Sequence, residues 1–483
     1  MKNIEGGLAS IIMALGVTLF LPAAVAFYYG ETSELYFFLM YGAIVFGLGL
    51  ALYFKFKLGE VTLPEAMIIS AGGWLLASLI SSVPYVYIAK MAWIDAYFES
   101  MSGFTTTGMT VISDVEVLPR SLLFWRAFTQ WVGGVGIILF FVLFVSPAGI
   151  GIWRLYRAEA REERVLATTR ETIKYIWRLY VAETALCAVL LVFLAKMDPF
   201  EALTHSFTAL STGGFSTRNA SIAAFNSPIV EAILVVFMLV GATSFMVQIR
   251  VLRDRKVSTL FSHPEVRTCL LIVASISILV ALDSTMNGMF NGFWEALRTS
   301  VFQTVSILTT TGYTVVDIAK YPPLSTWLIM LLMAIGGGLC STGGAVKIMR
   351  VVVIVKLVYY IILKNILPET AVKPFKIGKH VVGEEESLRI LGFLAAYSFL
   401  LIIESILLTV LGGFDPLTSI SGALSAQGNV GPSLLPVSAR LPEAVKAVLI
   451  FGMWAGRLEI FPVLVFLAPT TWRSLLSFRV RHR

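Results

Sequence analysis

The chain has 483 residues, of which 57% are hydrophobic and 14% are charged, and its formal net charge is +7. This composition excludes a soluble globular protein. The charge does not indicate a nucleic-acid partner, because the basic residues cluster in loops, as on a cytoplasmic membrane face. Cys187, Cys269 and Cys340 are too few and too scattered to predict a disulfide framework or a metal site. The sequence therefore predicts an all-α polytopic protein of the lipid bilayer.

Two apolar runs come first along the chain. They are "LASIIMALGVTLFLPAAVAFYY" and "LYFFLMYGAIVFGLGLALYF", and each is long enough to cross a bilayer at about 20 residues per span. They predict two transmembrane helices that form a hairpin over residues 1–59.

Four short polar stretches then recur at even spacing. They are "GFTTTGM" (103–109), "TALSTGGF" (208–215), "SILTTTGY" (306–313) and "GALSAQGN" (422–429). Aligned on Gly108, Gly213, Gly312 and Gly428, they lie 105, 99 and 116 residues apart. This spacing predicts a fourfold internal repeat.

Each polar stretch follows a short apolar segment, and these segments cover 95–104, 198–210, 291–308 and 415–424. Each opens with Asp or Asn, which suit a helix N-cap, and is shorter than the roughly 20 residues of a span. Longer apolar segments flank each one, which predicts four units of helix, half-membrane helix, loop and helix. With the hairpin, the total is ten transmembrane helices. The predicted divisions are the hairpin 1–59, repeat 1 (60–153), repeat 2 with its preceding cytoplasmic loop (154–256), repeat 3 (257–370), and repeat 4 with a cytoplasmic tail (371–483).

The basic residues predict the orientation. The junctions between repeats carry clusters of Lys and Arg, whereas the loop after each aligned glycine holds one basic residue, namely Arg120, Arg218, Lys320 or Arg440. Because loops rich in Lys and Arg stay on the cytoplasmic side, both termini and the junctions are predicted inside.

The four loops suit a cation. Non-helical backbone at membrane depth must be buried in protein or line a watery path. Four such loops can meet on a pseudo-fourfold axis, where carbonyl oxygens replace an ion's hydration shell and threonine hydroxyls add further oxygens. The negative C-terminal ends of the short helices also favour a cation. One such stretch alone would indicate a capped helix end, but four at matched spacing predict a pore.

The sequence resembles the Trk/Ktr/HKT superfamily of cation transporters, and within it the Trk-type potassium uptake subunit. The motifs "SILTTTGY", "TALSTGGFSTRN", "QWVGGVGIILF", "IGGGLCSTGGAVKIMR" and "WAGRLEIFPVL" carry the resemblance, which covers essentially the whole chain. It implies four covalently joined helix–pore-loop–helix repeats around a pseudo-fourfold pore, a homodimer, and a cytosolic RCK-type nucleotide-binding ring (TrkA-like) as partner. It also implies a multi-pass protein of the prokaryotic cytoplasmic membrane that transports K⁺ and has no covalently bound cofactor.

The resemblance also implies which residues form a potassium-binding selectivity filter, four from each repeat. They are Thr106, Thr107, Gly108 and Met109; Ser211, Thr212, Gly213 and Gly214; Thr310, Thr311, Gly312 and Tyr313; and Ala426, Gln427, Gly428 and Asn429. The fourth repeat departs from the pattern, because Gln427 stands where the other three repeats have threonine.

A stretch of small residues interrupts the second long helix of repeat 3 at 336–345. Its poor helix formers are Gly336, Gly337, Gly338, Ser341, Thr342, Gly343 and Gly344. Close helix packing through small residues is one interpretation. The resemblance favours another, a flexible loop beneath the filter that acts as a gate.

Arg457 interrupts the last apolar run and would be costly facing lipid. It either forms a structural ion pair with another helix or lies at the inner cavity, where its charge repels cations.

Two functions remain open on the same fold. The first is potassium-selective uptake gated by the loop and a cytosolic nucleotide-binding subunit. The alternative is a sodium-permeable or Na⁺/H⁺-coupled potassium symporter. An enzyme is not expected, because the sequence has no HExxH, Gly-x-Ser-x-Gly or Walker A stretch.

Overall fold

A computed structural model describes residues 2–56, 59, 61–140, 169–368, 374–377 and 380–473. Helices dominate these ranges, and the sheet within them is one antiparallel hairpin of β1 (Lys376–Ile377) and β2 (His380–Val381). The predicted all-α membrane fold is confirmed. The basic residues Arg154, Arg157, Arg161 and Arg164 of the predicted cytoplasmic loop lie outside the described residues.

The N-terminal hairpin consists of α1 (Lys2–Thr18), α2 (Phe20–Tyr29) and α3 (Thr32–Lys55), with α1 and α2 forming one apolar span. Glycines allow the two arms to touch backbone to backbone. A Cβ on Gly16 would lie 2.3 Å from the amide nitrogen of Phe46, and one on Gly49 would lie 2.4 Å from that of Met13. Small residues of this kind let membrane helices approach closely.

Four units follow in the predicted order of long helix, short helix, loop and second helix. Repeat 1 consists of α4 (Leu63–Ile88), α5 (Trp93–Phe104) and α6 (Arg120–Phe140). Repeat 2 consists of α7 (Thr169–Phe193), α8 (Pro199–Leu210), α9 (Pro228–Ala242) and α10 (Phe245–Asp254), followed by the short α11 (Ser258–Ser262). Repeat 3 consists of α12 (Pro264–Met286), α13 (Phe293–Leu308), α14 (Pro323–Ile335) and α15 (Ile348–Ile366). Repeat 4 consists of α16 (Glu384–Gly412), α17 (Pro416–Gly428), α18 (Glu443–Arg457) and α19 (Phe461–Leu467).

Two of the four predicted N-caps are confirmed. Asp198 accepts hydrogen bonds from the backbone of α8, and Asp415 accepts them from that of α17, with proline at the first position of both helices. Asp95 instead lies inside the first turn of α5 and pairs with Lys446. In repeat 3 the cap position is Gly292, one residue after the expected Asn291.

By length and hydropathy, six of the described helical segments could cross a membrane, or up to eight if each of two bent pairs counts as one span. The six are α1–α2, α3, α4, α7, α12 and α16, and the bent pairs are α9–α10 and α18–α19. The ten predicted spans also include α6 and the broken α14–α15, which this criterion leaves out. The second helices of the repeats therefore account for the whole difference.

Three of those second helices break, where the sequence predicted a break in one. The chain turns by 100° between α9 and α10 and by 118° between α18 and α19. In repeat 3, α14 ends at Ile335 and α15 begins at Ile348, so the predicted interruption at 336–345 is present as non-helical backbone. The missed bends lie in apolar runs whose composition resembles that of an unbroken span.

Repeats 1 and 4 pack against each other and close the arrangement. The indole of Trp454 on α18 donates to the carbonyl of Ala71 on α4 at 3.0 Å. Lys446 on α18 forms a buried ion pair with Asp95 on α5. These contacts join residues more than 300 positions apart and bring the last repeat beside the first.

Candidate ion-conduction site

The four short helices end in the same hydrogen-bonded turn, which defines equivalent residues without reference to side chains. In each repeat one residue has a left-handed backbone, namely Thr106, Thr212, Thr310 or Asn429. The amide of the residue after it donates to the carbonyl five positions earlier, at Ser102, Thr208, Ser306 or Ser425, over 2.8–2.9 Å. Two positions after the left-handed residue comes a glycine with positive φ, namely Gly108, Gly214, Gly312 or Gly431.

This equivalence corrects the alignment of two repeats. Gly214 occupies the position of Gly108 where Gly213 was predicted, and Gly431 occupies it where Gly428 was predicted. Ala426, Gln427 and Gly428 belong to the end of α17. The error arose because "TGG" and "GNVG" each offer two glycines, and backbone conformation selects the second.

The four equivalent glycines form a closed ring in which each fits against the next repeat. A Cβ on Gly108 would lie 2.3 Å from the carbonyl oxygen of Gly213 in repeat 2. On Gly214 it would lie 2.0 Å from that of Thr311, and on Gly312 it would lie 1.9 Å from that of Val430. On Gly431 it would lie 2.6 Å from the oxygen of Thr107, which returns the ring to repeat 1. Together with positive φ, this crowding restricts all four positions to glycine.

The ring borders a cavity of about 640 Å³ that all four repeats line, and all four equivalent glycines contribute to its wall. Backbone and small polar groups around it include Thr110, Ser216, Thr314 and Ser433. The loops that follow the ring glycines, including residues such as Arg218 and Lys320, also line this cavity.

Side chains from neighbouring repeats hold the ring in place. Gln130 on α6 of repeat 1 donates to the carbonyl of Gly213 at 2.6 Å and accepts from the amide of Phe215 at 3.0 Å. Asn429 of repeat 4 donates to the hydroxyl of Thr107 at 3.0 Å and to the carbonyl of Met453 at 2.9 Å. Both side chains are fully buried, so these bonds replace water as the partners of the loop backbone.

Tyr313 anchors the loop of repeat 3 onto the short helix of repeat 2. Its hydroxyl donates to the carbonyl of His205 at 3.0 Å and lies 2.5 Å from the hydroxyl of Thr208. The carbonyl of Tyr313 accepts from Ser306 within its own repeat. Tyr313 therefore acts from behind the ring, where it fixes the separation of two repeats.

A buried ion pair supports the loop of repeat 1. Arg126 on α6 approaches Glu99 on α5 to 2.7 Å, and Glu99 also accepts from Thr110 and from the amide of Val111. The guanidinium of Arg126 reaches the carbonyl of Ser216 in repeat 2 and stacks on the ring of Phe215. The positions equivalent to Glu99, each seven residues before the left-handed residue, hold His205, Gln303 and Gly422.

The interrupted segment of repeat 3 lies directly against the left-handed residues that precede the ring glycines of repeats 2 and 3. The amide of Gly344 donates to the hydroxyl of Thr310 at 2.7 Å. The hydroxyl of Thr342 contacts the carbonyls of Leu210 and Gly241 and lies 3.2 Å from the hydroxyl of Thr212. The segment is almost wholly buried, so it fills the space beneath the left-handed residues of repeats 2 and 3.

Arg457 holds this segment from the last repeat. It donates to the carbonyl of Thr342 at 2.7 Å and to that of Gly133 on α6 at 2.8 Å. The carboxylate of Glu459, two residues on, pairs with Arg350 on α15. Arg457 thus contacts backbone carbonyls of the interrupted segment and of α6, while the nearby carboxylate of Glu459 pairs with a different arginine.

A family model described as a cation transport protein, TrkH, matches residues 37–474. The chain belongs to the TrkH family.

Relatives of the TrkH family match nearly end to end. An uncharacterized cation transporter of Methanocaldococcus jannaschii is 36% identical over 98% of this chain and 97% of its own length. The Trk system potassium uptake protein TrkH of Halomonas elongata is 33% identical over 97% of this chain and 98% of its own length. The crystal structure of the potassium transporter TrkH from Vibrio parahaemolyticus superposes with a TM-score of 0.88 at 30% identity, covering 98% of this chain and 99% of that one.

Several residues that organise this TrkH-family site were missed from the sequence. Glu99 and Arg126 carried a usable signal, because ionisable residues inside apolar segments are costly and generally have a partner. Nothing in the sequence indicated the roles of Gln130 and Gly431, since these roles follow from contacts with a different repeat.

The ion pair behind repeat 1 should be a major determinant of stability. Replacing Arg126 with Gln leaves the Glu99 carboxylate buried without its cation, which costs about 3–5 kcal/mol. Arg218→Gln is the matched control, because Arg218 pairs with Glu201 while remaining 42% exposed, and such pairs contribute about 1 kcal/mol or less. Thermal unfolding in detergent should show a much lower midpoint for Arg126→Gln than for the control. Equal midpoints would contradict this role.

Proposed function

We propose that the chain mediates potassium uptake across the cytoplasmic membrane through the ring formed by Gly108, Gly214, Gly312 and Gly431. The observation that supports this most is the cyclic contact of each glycine with a carbonyl of the next repeat. Backbone oxygens held in this way can replace the hydration shell of a cation. The proposed filter keeps Thr106–Met109 and Thr310–Tyr313 from the sequence prediction and takes 212–215 and 429–432 in the other repeats, because their backbone conformation is equivalent.

If potassium passes through this ring, the chain should support potassium uptake in living cells. Expression of the chain should restore growth of a potassium-uptake-deficient bacterium at low external K⁺. Isotope flux with competing Na⁺, at several pH values, separates selective uptake from the sodium-permeable or Na⁺/H⁺-coupled alternative. Uptake that depends on Na⁺ or on a proton gradient would favour that alternative.

Gly108→Ser should weaken the preference for potassium. A serine Cβ cannot fit 2.3 Å from the carbonyl oxygen of Gly213, so the ring must widen or distort and admit more Na⁺ relative to K⁺. Gly292→Ser is the control, because it places the same side chain at a helix N-cap with no atom within 4 Å. Reversal potentials in mixed Na⁺ and K⁺ solutions measure the ratio. An unchanged ratio in Gly108→Ser would contradict this filter.

The segment 336–345 and Arg457 together form the proposed gate. The segment obstructs the path beneath the ring, and Arg457 both holds it at Thr342 and adds a positive charge. At about 4 Å and an effective dielectric constant of about 20, two like charges repel by roughly 4 kcal/mol. Even a third of that would slow cation passage roughly tenfold.

Removing either part of the gate should raise potassium flux in the absence of any cytosolic partner. Deleting residues 336–344 removes the obstruction, and Arg457→Ala removes the charge and its hydrogen bond to Thr342, so each should increase flux roughly tenfold or more. Arg440→Ala, which removes an exposed arginine from an outer loop, is the control. Proteoliposome flux measures the effect, and selectivity should persist because the ring is intact. Wild-type flux in both folded variants would place the gate elsewhere.

The proposal extends to partners, a second copy of the chain and a cytosolic RCK-type ring. The basic residues at Arg157, Arg161 and Arg164 suit an acidic cytosolic surface. Changing all three to Gln should weaken co-purification of such a ring while membrane insertion persists. The control changes Lys90, Lys320 and Arg440, which lie in outer loops. Undiminished binding would leave membrane orientation as the sole role of these arginines.

A further inference from the structure

The bend after α9 produces a surface helix that none of the proposed functions uses. α9 has 15 residues and is therefore about 23 Å long, most of the roughly 30 Å hydrocarbon thickness. α10 leaves it at 100°, and α12 then returns with 23 residues, enough to span. Residues 243–263, here called the elbow, thus run along the cytoplasmic boundary of the membrane in the orientation that the basic residues predict.

The elbow is amphipathic in a way that suits a membrane boundary. Phe245, Val247 and Ile249 of α10 are buried against the protein. The outer surface of the elbow carries three large apolar side chains that are at least half exposed, namely Leu252, Val257 and Phe261. It also carries exposed basic residues, which are Arg250, Arg253, Arg255 and Lys256, beside a single acidic residue, Asp254.

That combination favours one kind of occupant. Exposed apolar side chains beside Lys and Arg bind where acyl chains meet headgroups, and the basic residues attract anionic lipids of the cytoplasmic leaflet. A cytosolic protein would meet the basic residues, but it would leave Leu252, Val257 and Phe261 without an apolar partner at the depth where α12 enters the membrane.

The elbow and the helix ends on either side of it are hydrogen-bonded to the interrupted segment. At the α9 end, the amide of Gly338 donates to the carbonyl of Ala242 at 2.8 Å. The amide of Phe245, the first residue of α10, donates to the carbonyl of Cys340. At the α12 end, Glu265 accepts from the amide of Leu339 at 2.8 Å. The position of the elbow and that of residues 338–340 are therefore mechanically joined.

We propose that the elbow is a binding site for the headgroups of anionic phospholipids, and that lipid bound there stabilises the closed position of the segment 336–345. Binding restrains α10 at the membrane boundary, and α10 transmits the restraint through the backbone hydrogen bond from Phe245 to Cys340. The effect on flux rests on the proposed gate, whereas lipid binding does not depend on it.

Lipid binding tests the site itself. Native mass spectrometry in detergent, with added phosphatidylglycerol or phosphatidylcholine, compares wild type with the double variant Arg255→Gln, Lys256→Gln. Each basic residue near the surface contributes about fivefold, so the preference for phosphatidylglycerol should fall roughly 25-fold. The control, Lys356→Gln with Lys364→Gln, removes the same charge from exposed positions on α15 and should retain the preference.

Flux tests the link to the gate. In proteoliposomes without a cytosolic partner, wild-type potassium flux should be lower with phosphatidylglycerol than with phosphatidylcholine alone. The elbow variant should lose this difference in flux, while the control variant keeps it.

The outcomes that overturn the proposal are specific. If the binding preference for phosphatidylglycerol survives in the elbow variant, or falls equally in the control variant, the lipid site is overturned. If the elbow variant no longer co-purifies with the cytosolic RCK-type partner while its preference for phosphatidylglycerol is unchanged, the elbow binds a protein, and the lipid site is likewise overturned. Absence of flux in every liposome would refute the proposed function, while the binding result would still decide the lipid site.

Discussion

The arrangement depends on a steric constraint at four points, where the carbonyl oxygen of one repeat occupies the space that a Cβ of its neighbour would need. Glycine at these positions lets the four loops approach until their backbones touch. The cross-repeat bonds of Gln130, Asn429 and Tyr313 then hold that separation. Each repeat thus fixes the backbone position of the next, so that a displacement of one loop would displace its neighbours around the ring.

The sequence predicted the features that local chemistry decides. Asp198 and Asp415 precede proline and cap short helices, as expected from neighbours in the chain. The choice between Gly213 and Gly214, and between Gly428 and Gly431, was beyond such reasoning. It follows from the left-handed residues Thr212 and Asn429 and from the carbonyls of the following repeats. The bends after α9 and α18 were missed for a similar reason, since packing against other repeats determines where an apolar helix ends.

Backbone carbonyl groups that have no partner within a helix, because the helix ends there, lie next to the ring. α8, α9 and the interrupted segment all present backbone oxygens there, and Thr342 and Arg457 satisfy several of them. An arginine at this depth is tolerable because dipoles surround it on more than one side. The interrupted segment therefore supplies one of the carbonyls that accept from the buried Arg457, and the continuous helix α6 supplies another at Gly133.

Covalent joining of the repeats also permits something that four identical subunits could not have. The position behind the ring holds Glu99 in repeat 1 but His205, Gln303 and Gly422 in the others. In a homotetramer a glutamate there would appear four times, and four buried carboxylates would require four compensating cations. Here one Glu99–Arg126 pair suffices. Because the four repeats belong to one chain, a single substitution can change the support behind one quarter of the ring and leave the other three unchanged.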